Sequence, residues 1–441
     1  MPLLSTLPKQ PVRYAPGIRE NLRAFLEQLV QVFFVGLTIG LQRTVIPALA
    51  ETEFGVVQGS ITALFAFVVS FGVVKGAMNF VSGRISERVG RRRVLIWGWI
   101  AALPIPFMIL WAPSWGWIVA ANVLLGVNQG FCWSMTVTAK MDIVKASQRG
   151  LATGFNEFAG YGGVAIAGLI TGYLASAFDP RLSLFVFGIV VIGLALLAAV
   201  LAFTETLPFA RAEAARHRDA AAQPGQPPQT ARYAEGPEDP TSGQIFALVT
   251  WRNRTFMALT QAGCVEKFVD ALMWALLPVF LIARGATLIQ VGWVAGTYGL
   301  VWGASQLWTG PLSDAVGRKW PTVAGFFLCA GGVLAFPFLH TLPAWIAAAA
   351  VTGIGMALLY PTLIAAMGDL AHPAWRGSAL GVYRFWRDLG YAIGALVMGL
   401  AADAAGMLEA GFWVTGAAMI GSGIWLAVGM DETHSRRKRP V

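Results

Sequence analysis

Nine ionisable side chains interrupt stretches of sequence that are otherwise apolar: Arg43, Lys75, Glu157, Glu266, Lys267, Asp270, Arg384, Arg387 and Asp388. A charge buried without a partner costs several kcal/mol, so such residues persist where they are paired, wetted or used. Four are acids and five are bases. Pairing can therefore neutralise most of them and leave one cation for a ligand. The chemistry open to this set is recognition of charge and carriage of protons. Catalysis is not expected, because neither His-Glu-x-x-His nor Gly-x-Ser-x-Gly occurs. The four histidines, His217, His340, His372 and His434, lie in loops or at helix ends. Cys132, Cys264 and Cys329 are far apart inside apolar segments, which suits packing and neither a disulfide framework nor a metal site. No catalytic residue, metal or cofactor is therefore expected. The absence of a Gly-x-x-x-x-Gly-Lys loop points to an ion gradient, and not a nucleotide, as the energy source.

Spacing narrows the roles. Glu266 and Asp270 are four residues apart and share one helix face. Two adjacent carboxylates can hold one proton near neutral pH; the same pair could instead serve only to neutralise Lys267 and Arg43. Arg384 and Asp388 stand at i and i+4, the geometry of an intrahelical ion pair. Arg387 is then left without a local partner, free to bind a substrate carboxylate or phosphate or to snorkel. Asn128, Gln129, Asn156 and Tyr383 add hydrogen-bonding groups to the same apolar stretches, for substrate or for neighbouring helices.

The elements that must position these groups are transmembrane helices. Hydrophobic residues make up 56 % of the chain and charged ones 12 %, about half the roughly 25 % usual in soluble domains, and the mean hydropathy is +0.62. Stretches long enough to cross about 30 Å of hydrocarbon lie near 25–50, 60–82, 94–112, 115–139, 150–177 and 182–203, then near 256–283, 288–310, 321–340, 343–367, 377–402 and 410–430. The prediction is an all-α membrane protein with twelve spans in two six-helix halves, 25–204 and 256–430. A tail at 1–24, a linker at 205–255 and a basic tail at 431–441 complete the chain. The linker contains Gln223-Pro224-Gly225-Gln226-Pro227-Pro228-Gln229 and is expected to be mobile.

Of the 32 Lys and Arg, 25 fall in the tails and loops on one side of this topology and five within spans. Only Arg181 and Arg284 occupy loops on the other side. The positive-inside rule then places both termini in the cytoplasm. It also accounts for the net charge of +9 through anionic lipid headgroups and without nucleic acid.

Two basic runs stand out. Gly83-Arg84-Ile85-Ser86-Glu87-Arg88-Val89-Gly90-Arg91-Arg92 follows the second span, and Gly310-Pro311-Leu312-Ser313-Asp314-Ala315-Val316-Gly317-Arg318-Lys319 follows the eighth. Gly83 and Gly310 are 227 residues apart, and the same offset relates Asp142 to Asp369, Arg149 to Arg376, Gly150 to Gly377 and Glu205 to Glu432. One half-molecule is written twice. The runs, the duplication and the long central linker together resemble the major facilitator superfamily. Glu87 stands where that family usually has Asp, and Ala315 replaces an Arg. Gln129-Gly130 remains in the fourth span without the preceding Arg associated with proton coupling, and the fifth span lacks the Gly-Pro of many antiporters.

The resemblance implies that the second span packs on the eleventh at the seam between halves. Glu87 would then meet the positive N-terminus of the eleventh span and favour closure of the cytoplasmic face, with Asp314 doing the same for the fifth. Gly83, Gly90, Gly310 and Gly317 would allow close helix approach and tight turns. Arg88, Arg91, Arg92 and Arg318 would anchor to headgroups or acids. At 1.5 Å per residue, Lys75 lies roughly 12 Å in, Arg384 roughly 10 Å and Asp388 roughly 16 Å. Lys75 is thus expected to exchange partners with Arg384 and Asp388 as an inner gate. Arg43 and Glu266/Asp270 would face one aqueous space from opposite halves. The expected function is secondary transport by alternating access, with protons as the coupling ion and a small anion as substrate. The alternatives are a proton-driven exporter of hydrophobic or cationic drugs and a non-transporting sensor or scaffold of the same fold. The expected partners are the solute, protons and lipid. The chain is expected to act as a monomer in the cytoplasmic membrane.

Overall fold

The computed structural model describes residues 14–54, 61–221 and 240–434. Among them there are helices and no strands. The first half comprises α1 (Leu22–Thr52), α2 (Ile61–Val89), α3 (Arg91–Ala102) continued by α4 (Pro104–Leu110), α5 (Trp115–Ile143), α6 (Arg149–Ala177) and α7 (Pro180–Leu201). Next come α8 (Leu207–Ala221) and α9 (Ser242–Ala247). The second half comprises α10 (Arg254–Ala271) continued by α11 (Leu277–Ala283), then α12 (Leu288–Val316), α13 (Lys319–Ala335), α14 (Leu342–Leu370), α15 (Arg376–Ala405) and α16 (Glu409–Gly429). Counting α3–α4 and α10–α11 as one segment each, these are six long segments before α8 and six after α9. By length and composition, nine helices among the described residues can cross a membrane. Two segments outside that set, α2 and α10–α11, carry Lys75 and Glu266-Lys267-Asp270.

Helices form here because hydrocarbon offers no partner for backbone N–H and C=O groups. The breaks have local causes. Pro104 lacks an N–H, and α3 gives way to α4 there. The π turn Leu272–Leu276 ends two residues before Pro278 and joins α10 to α11. It starts two residues after Asp270, so the helix that carries Glu266, Lys267 and Asp270 is also an irregular one.

The halves meet along two equivalent contacts, α2 against α15 and α12 against α6. Each crossing is glycine on glycine. A Cβ on Gly377 would lie 3.0 Å from the carbonyl oxygen of Gly83, and one on Gly381 would lie 2.7 Å from that of Asn79. Gly150 and Gly310 press together in the same way. The helices that end at these crossings stop at Gly90 and Gly317, with φ of 100° and 102°, a backbone region that favours glycine.

The segment 205–255 departs from the expected mobile linker wherever it is described. Leu207, Ala210 and Ala214 form an apolar stripe and are buried. Phe209 packs on the cluster that holds Ile143 and Val144 at the end of α5. Burial of this stripe offsets the ordering entropy that composition alone suggested would dominate. The Gln223–Gln229 stretch lies outside the described residues.

Candidate functional site

The interior between the halves holds a chain of charges. Lys75 on α2 is 6 % exposed, and its Nζ lies 3.6 Å from Asp388 Oδ2 on α15. Asn79, one turn along α2, donates its amide to the same oxygen at 2.6 Å. On α10, Lys267 Nζ contacts Asp270 Oδ2 at 2.6 Å and Glu266 Oε1 at 3.7 Å. Glu266 Oε1 also meets Arg387 Nε on α15 at 3.0 Å. Asp270 accepts two further hydrogen bonds, from Tyr298 at 2.7 Å and Tyr391 at 3.0 Å. Tyr360 lies beneath both cations, 3.9 Å from the Arg387 guanidinium carbon and 4.3 Å from Lys267 Nζ. These stacked contacts supply negative charge density without another acid.

Arg384 is the exception. It is 1 % exposed, and among the described residues its guanidinium has neither an ion pair nor a hydrogen bond, whereas Arg387, whose nitrogens also lack hydrogen bonds, has the Glu266 ion pair. Tyr383 beside it is buried with its hydroxyl also unpartnered. The intrahelical pair expected between Arg384 and Asp388 does not form, because Asp388 faces α2 and is taken by Lys75 and Asn79. Arg387, expected to be the free cation, faces α10 and is taken by Glu266. The roles of the two arginines are thus exchanged relative to the sequence reading.

The other sequence-selected residues fall into two groups. Asn128 donates to the Gly98 carbonyl at 3.0 Å, and Gln129 donates to Thr38 Oγ1 at 3.1 Å and to the Val35 carbonyl at 3.2 Å. Both stitch the first half together. Asn156 and Glu157 belong to a buried network with Lys140. Lys140 Nζ donates to Asn156 Oδ1 at 2.8 Å, and Asn156 Nδ2 donates to Glu157 Oε1 at 2.9 Å. Trp133 Nε1 reaches the same carboxylate oxygen at 3.0 Å. The side chain of Arg43, on α1, lies outside the described residues.

Sequence reasoning missed Lys140, which it assigned to a loop. The apolar residues Met141, Ile143 and Val144 beyond it were the available signal. It also missed Asn79, Tyr298, Tyr360 and Tyr391. Aromatic side chains are so abundant in this chain that nothing in the sequence marks these as charge partners.

At the end of the bundle that carries Gly83–Arg92 and Gly310–Lys319, here termed the basic end, the duplication becomes chemical. Glu87 accepts the Ser378 N–H and the Ser378 hydroxyl, each at 2.7 Å, in the first turn of α15. Asp314 accepts the Gly150 and Leu151 N–H groups at 3.0 and 2.8 Å, in the first turn of α6. Each carboxylate caps a helix of the opposite half, where orphan N–H groups and the helix dipole favour an anion. Arg91 Nε meets Asp142 Oδ2 at 3.1 Å and Arg318 Nε meets Asp369 Oδ2 at 3.0 Å. Glu205 and Glu432 each accept the backbone N–H at the start of α3 and next to α13, from Arg91 and Arg318, both at 2.9 Å. Arg91 and Arg318 are buried in these pairs, and Arg92 donates to the Val200 carbonyl. Arg88 is exposed.

Because Glu87 and Asp314 are repeat mates doing the same work, Glu87→Gln and Asp314→Asn are expected to weaken closure of the basic end equally. Each should cost roughly 1 kcal/mol, with additive effects in the double variant, as the sites are separate. Labelling of a cysteine introduced at Ser86, which is buried and whose hydroxyl would lie 3.1 Å from a Cβ on Gly377 of α15, measures this. Strongly unequal effects would show that one crossing alone holds the closed form.

The sequence model of the Major Facilitator Superfamily matches the chain twice, over residues 29–265 and 259–441. An uncharacterised MFS-type transporter of Burkholderia mallei (strain SAVP1) is 25 % identical over 385 residues, covering 85 % of this chain and 84 % of that protein. An uncharacterised MFS-type transporter of Methanocaldococcus jannaschii is 26 % identical over 132 residues, 30 % of this chain and 34 % of its own length. The crystal structure of the human organic anion transporter MFSD10 (TETRAN) superposes with a TM-score of 0.74 at 16 % identity, covering 92 % of this chain and 99 % of that one. Two matches to one family model, one for each copy of the duplicated half, join the glycine crossings and the paired capping carboxylates: the chain belongs to the Major Facilitator Superfamily, a family of membrane transporters.

Proposed function

We propose that this protein is a secondary active transporter that carries a small organic anion by alternating access and couples it to protons. The observation that carries this reading is the charge inventory of the interior. Lys75, Lys140, Lys267, Arg384 and Arg387 are buried there against Glu157, Glu266, Asp270 and Asp388. Among the described side chains one cation is in excess, and Arg384 is the one with neither an ion pair nor a hydrogen bond. A carboxylate or phosphate bound in bidentate fashion would supply what its planar fork lacks. The human structural neighbour is an organic anion transporter, the same class of solute, although likeness at 16 % identity bears on fold alone.

Glu266 is the carboxylate best placed to take up a proton. Asp270 is saturated by Lys267, Tyr298 and Tyr391, whereas neither oxygen of Glu266 accepts a hydrogen bond among the described residues. Protonation of Glu266 would release Arg387, and an arriving anion would compete for both arginines, so proton and solute are linked through one pair of cations. The basic end is read as cytoplasmic by the positive-inside rule, with both termini inside and the chain monomeric in the cytoplasmic membrane.

The test is uptake by the purified protein in proteoliposomes. A thermal-shift screen of carboxylates, phosphate esters and lipophilic cationic dyes first identifies a solute. Uptake of that solute is expected to accelerate with an acidic exterior and to lose this dependence in Glu266→Gln, while solute exchange across the membrane persists. Stabilisation by the cationic dyes alone would reverse the assignment in favour of a drug exporter. A pH dependence unchanged in Glu266→Gln would remove that residue from coupling.

A further inference from the structure

Resting on the transport reading, we propose that Glu213, on the linker helix α8, is a positioning residue for alternating access. It clasps the two halves together at the basic end by holding the symmetry-related arginines Arg149 and Arg376. Its carboxylate meets Arg376 in a two-pronged contact, Oε2 to Nη1 at 3.0 Å and Oε1 to Nη2 at 3.0 Å. The same Oε1 lies 3.6 Å from Arg149 Nη2. Arg376 starts α15 in the second half, and Arg149 starts α6 in the first.

The two arginines already cross the seam without α8. Arg149 Nη1 reaches Asp369 Oδ1 at 3.0 Å, and Arg376 Nη1 lies 3.8 Å from Asp142 Oδ1. Asp369 and Asp142 are, however, shared with Arg318 and Arg91 at 3.0 and 3.1 Å. Asp314 adds a contact to Arg318 at 2.7 Å, so among the described residues three acids besides Glu213 face four buried arginines, none of them belonging to Arg149 or Arg376 alone, and closing the halves brings these two towards one another. One further negative charge between them relieves that repulsion, and Glu213 supplies it. The pairs at this layer are largely dry, with Arg376 fully buried and Glu213 22 % exposed on its side chain, so the contact is screened less than a surface ion pair.

The helix that carries Glu213 is anchored to both halves. Phe209 packs edge-on against Tyr14 at 4.9 Å and sits on the α5 end of the first half. α8 also contacts the turn Pro373–Trp375 that leads into α15. Opening the basic end must pull Arg376 away from Glu213 or lift α8 off α5. Closure at this end thus depends on a residue outside both repeats, in a segment whose composition suggested only a tether.

The experiment measures the distance between spin labels at Lys145→Cys and Ala374→Cys, exposed loop positions of opposite halves. The full-length protein is used in nanodiscs, with its three native cysteines replaced. Glu213→Gln is expected to raise the ratio of long to short distances about tenfold, within the usual range for coupled conformational equilibria. Glu213→Asp should retain most of the short-distance population. In an Arg149→Gln/Arg376→Gln background the Glu213 change should add nothing. An unchanged distribution in Glu213→Gln overturns the proposal, and so does a shift that persists in that background. Melting of each variant shows whether it is folded, and the Glu213→Asp rescue separates clasping from a general structural role. The distance readout needs no solute. A failed transport assay with the expected shifts counts against the transport reading, whereas wild-type distances with intact uptake count against the clasp.

Discussion

Arg384→Met is expected to yield a protein that melts at a higher temperature than the parent and no longer binds its anion. The two effects share one cause. A fully buried guanidinium without a partner keeps most of its desolvation penalty. Replacing such a charge by an apolar side chain of similar length stabilises by roughly 1–4 kcal/mol. Binding is affected in the opposite direction. If Arg384 pairs with the anionic group of the solute, removing it costs about 2–5 kcal/mol, or at least about 30-fold in affinity. The measurement is thermal unfolding in detergent with and without the solute found by screening, together with uptake in proteoliposomes. A fall in melting temperature would mean that Arg384 has a structural partner after all. Wild-type affinity in a stabilised variant would place the anion elsewhere. Function bought at the expense of stability is the signature of a site residue, and the two readouts moving apart is what distinguishes it.

Asp270→Asn should behave in the reverse manner. Asp270 receives Lys267 at 2.6 Å, Tyr298 at 2.7 Å and Tyr391 at 3.0 Å, all within a buried setting. An asparagine keeps the shape but removes the charge opposite Lys267 and offers an NH2 group where an acceptor is needed. Breaking a buried pair from one side typically costs about 3–5 kcal/mol, which is a large share of the stability of a folded domain. Low yield, a depressed melting temperature and aggregation are the expected outcomes. The added change Lys267→Met should recover much of the lost stability, because it removes the stranded cation, although Glu266 then loses one of its two neighbours. Equal stability of Asp270→Asn and the parent would show that Lys267 finds its counter-charge in Glu266 alone.

Glu87 and Asp314 show how much of the site was readable in advance. A carboxylate at a fixed distance after a long apolar run, repeated at one offset, marked the pair, and the resemblance to the major facilitator superfamily implied where each would dock. The spacing is information in one dimension, and the structure places each against the helix terminus expected for it. Lys75 beside Asp388 was likewise within reach, since depth along a helix is residue count times rise and the resemblance implied that the two helices face each other. Lys140 shows the limit of the same reasoning. It sits near the end of its helix by count, yet it is buried, its amine reaching Asn156 on α6 and lying over the Phe25 ring of α1.

The amino-acid sequence by itself determined that the chain spans a membrane as two copies of one helical half, that charges lie in its interior, and that paired acids sit at one end. Hydropathy, helix rise and the repeat offset are properties of the chain alone, so no fold is needed to read them. Partner choice was decided only by tertiary structure. Successive helix residues point about 100° apart, so whether Arg384 or Arg387 meets Glu266 depends on the rotation of α15, which the glycine contact with α2 sets. The linker acid Glu213 meets two arginines of opposite halves only because α8 folds back across their seam, and no spacing in the sequence encodes that return.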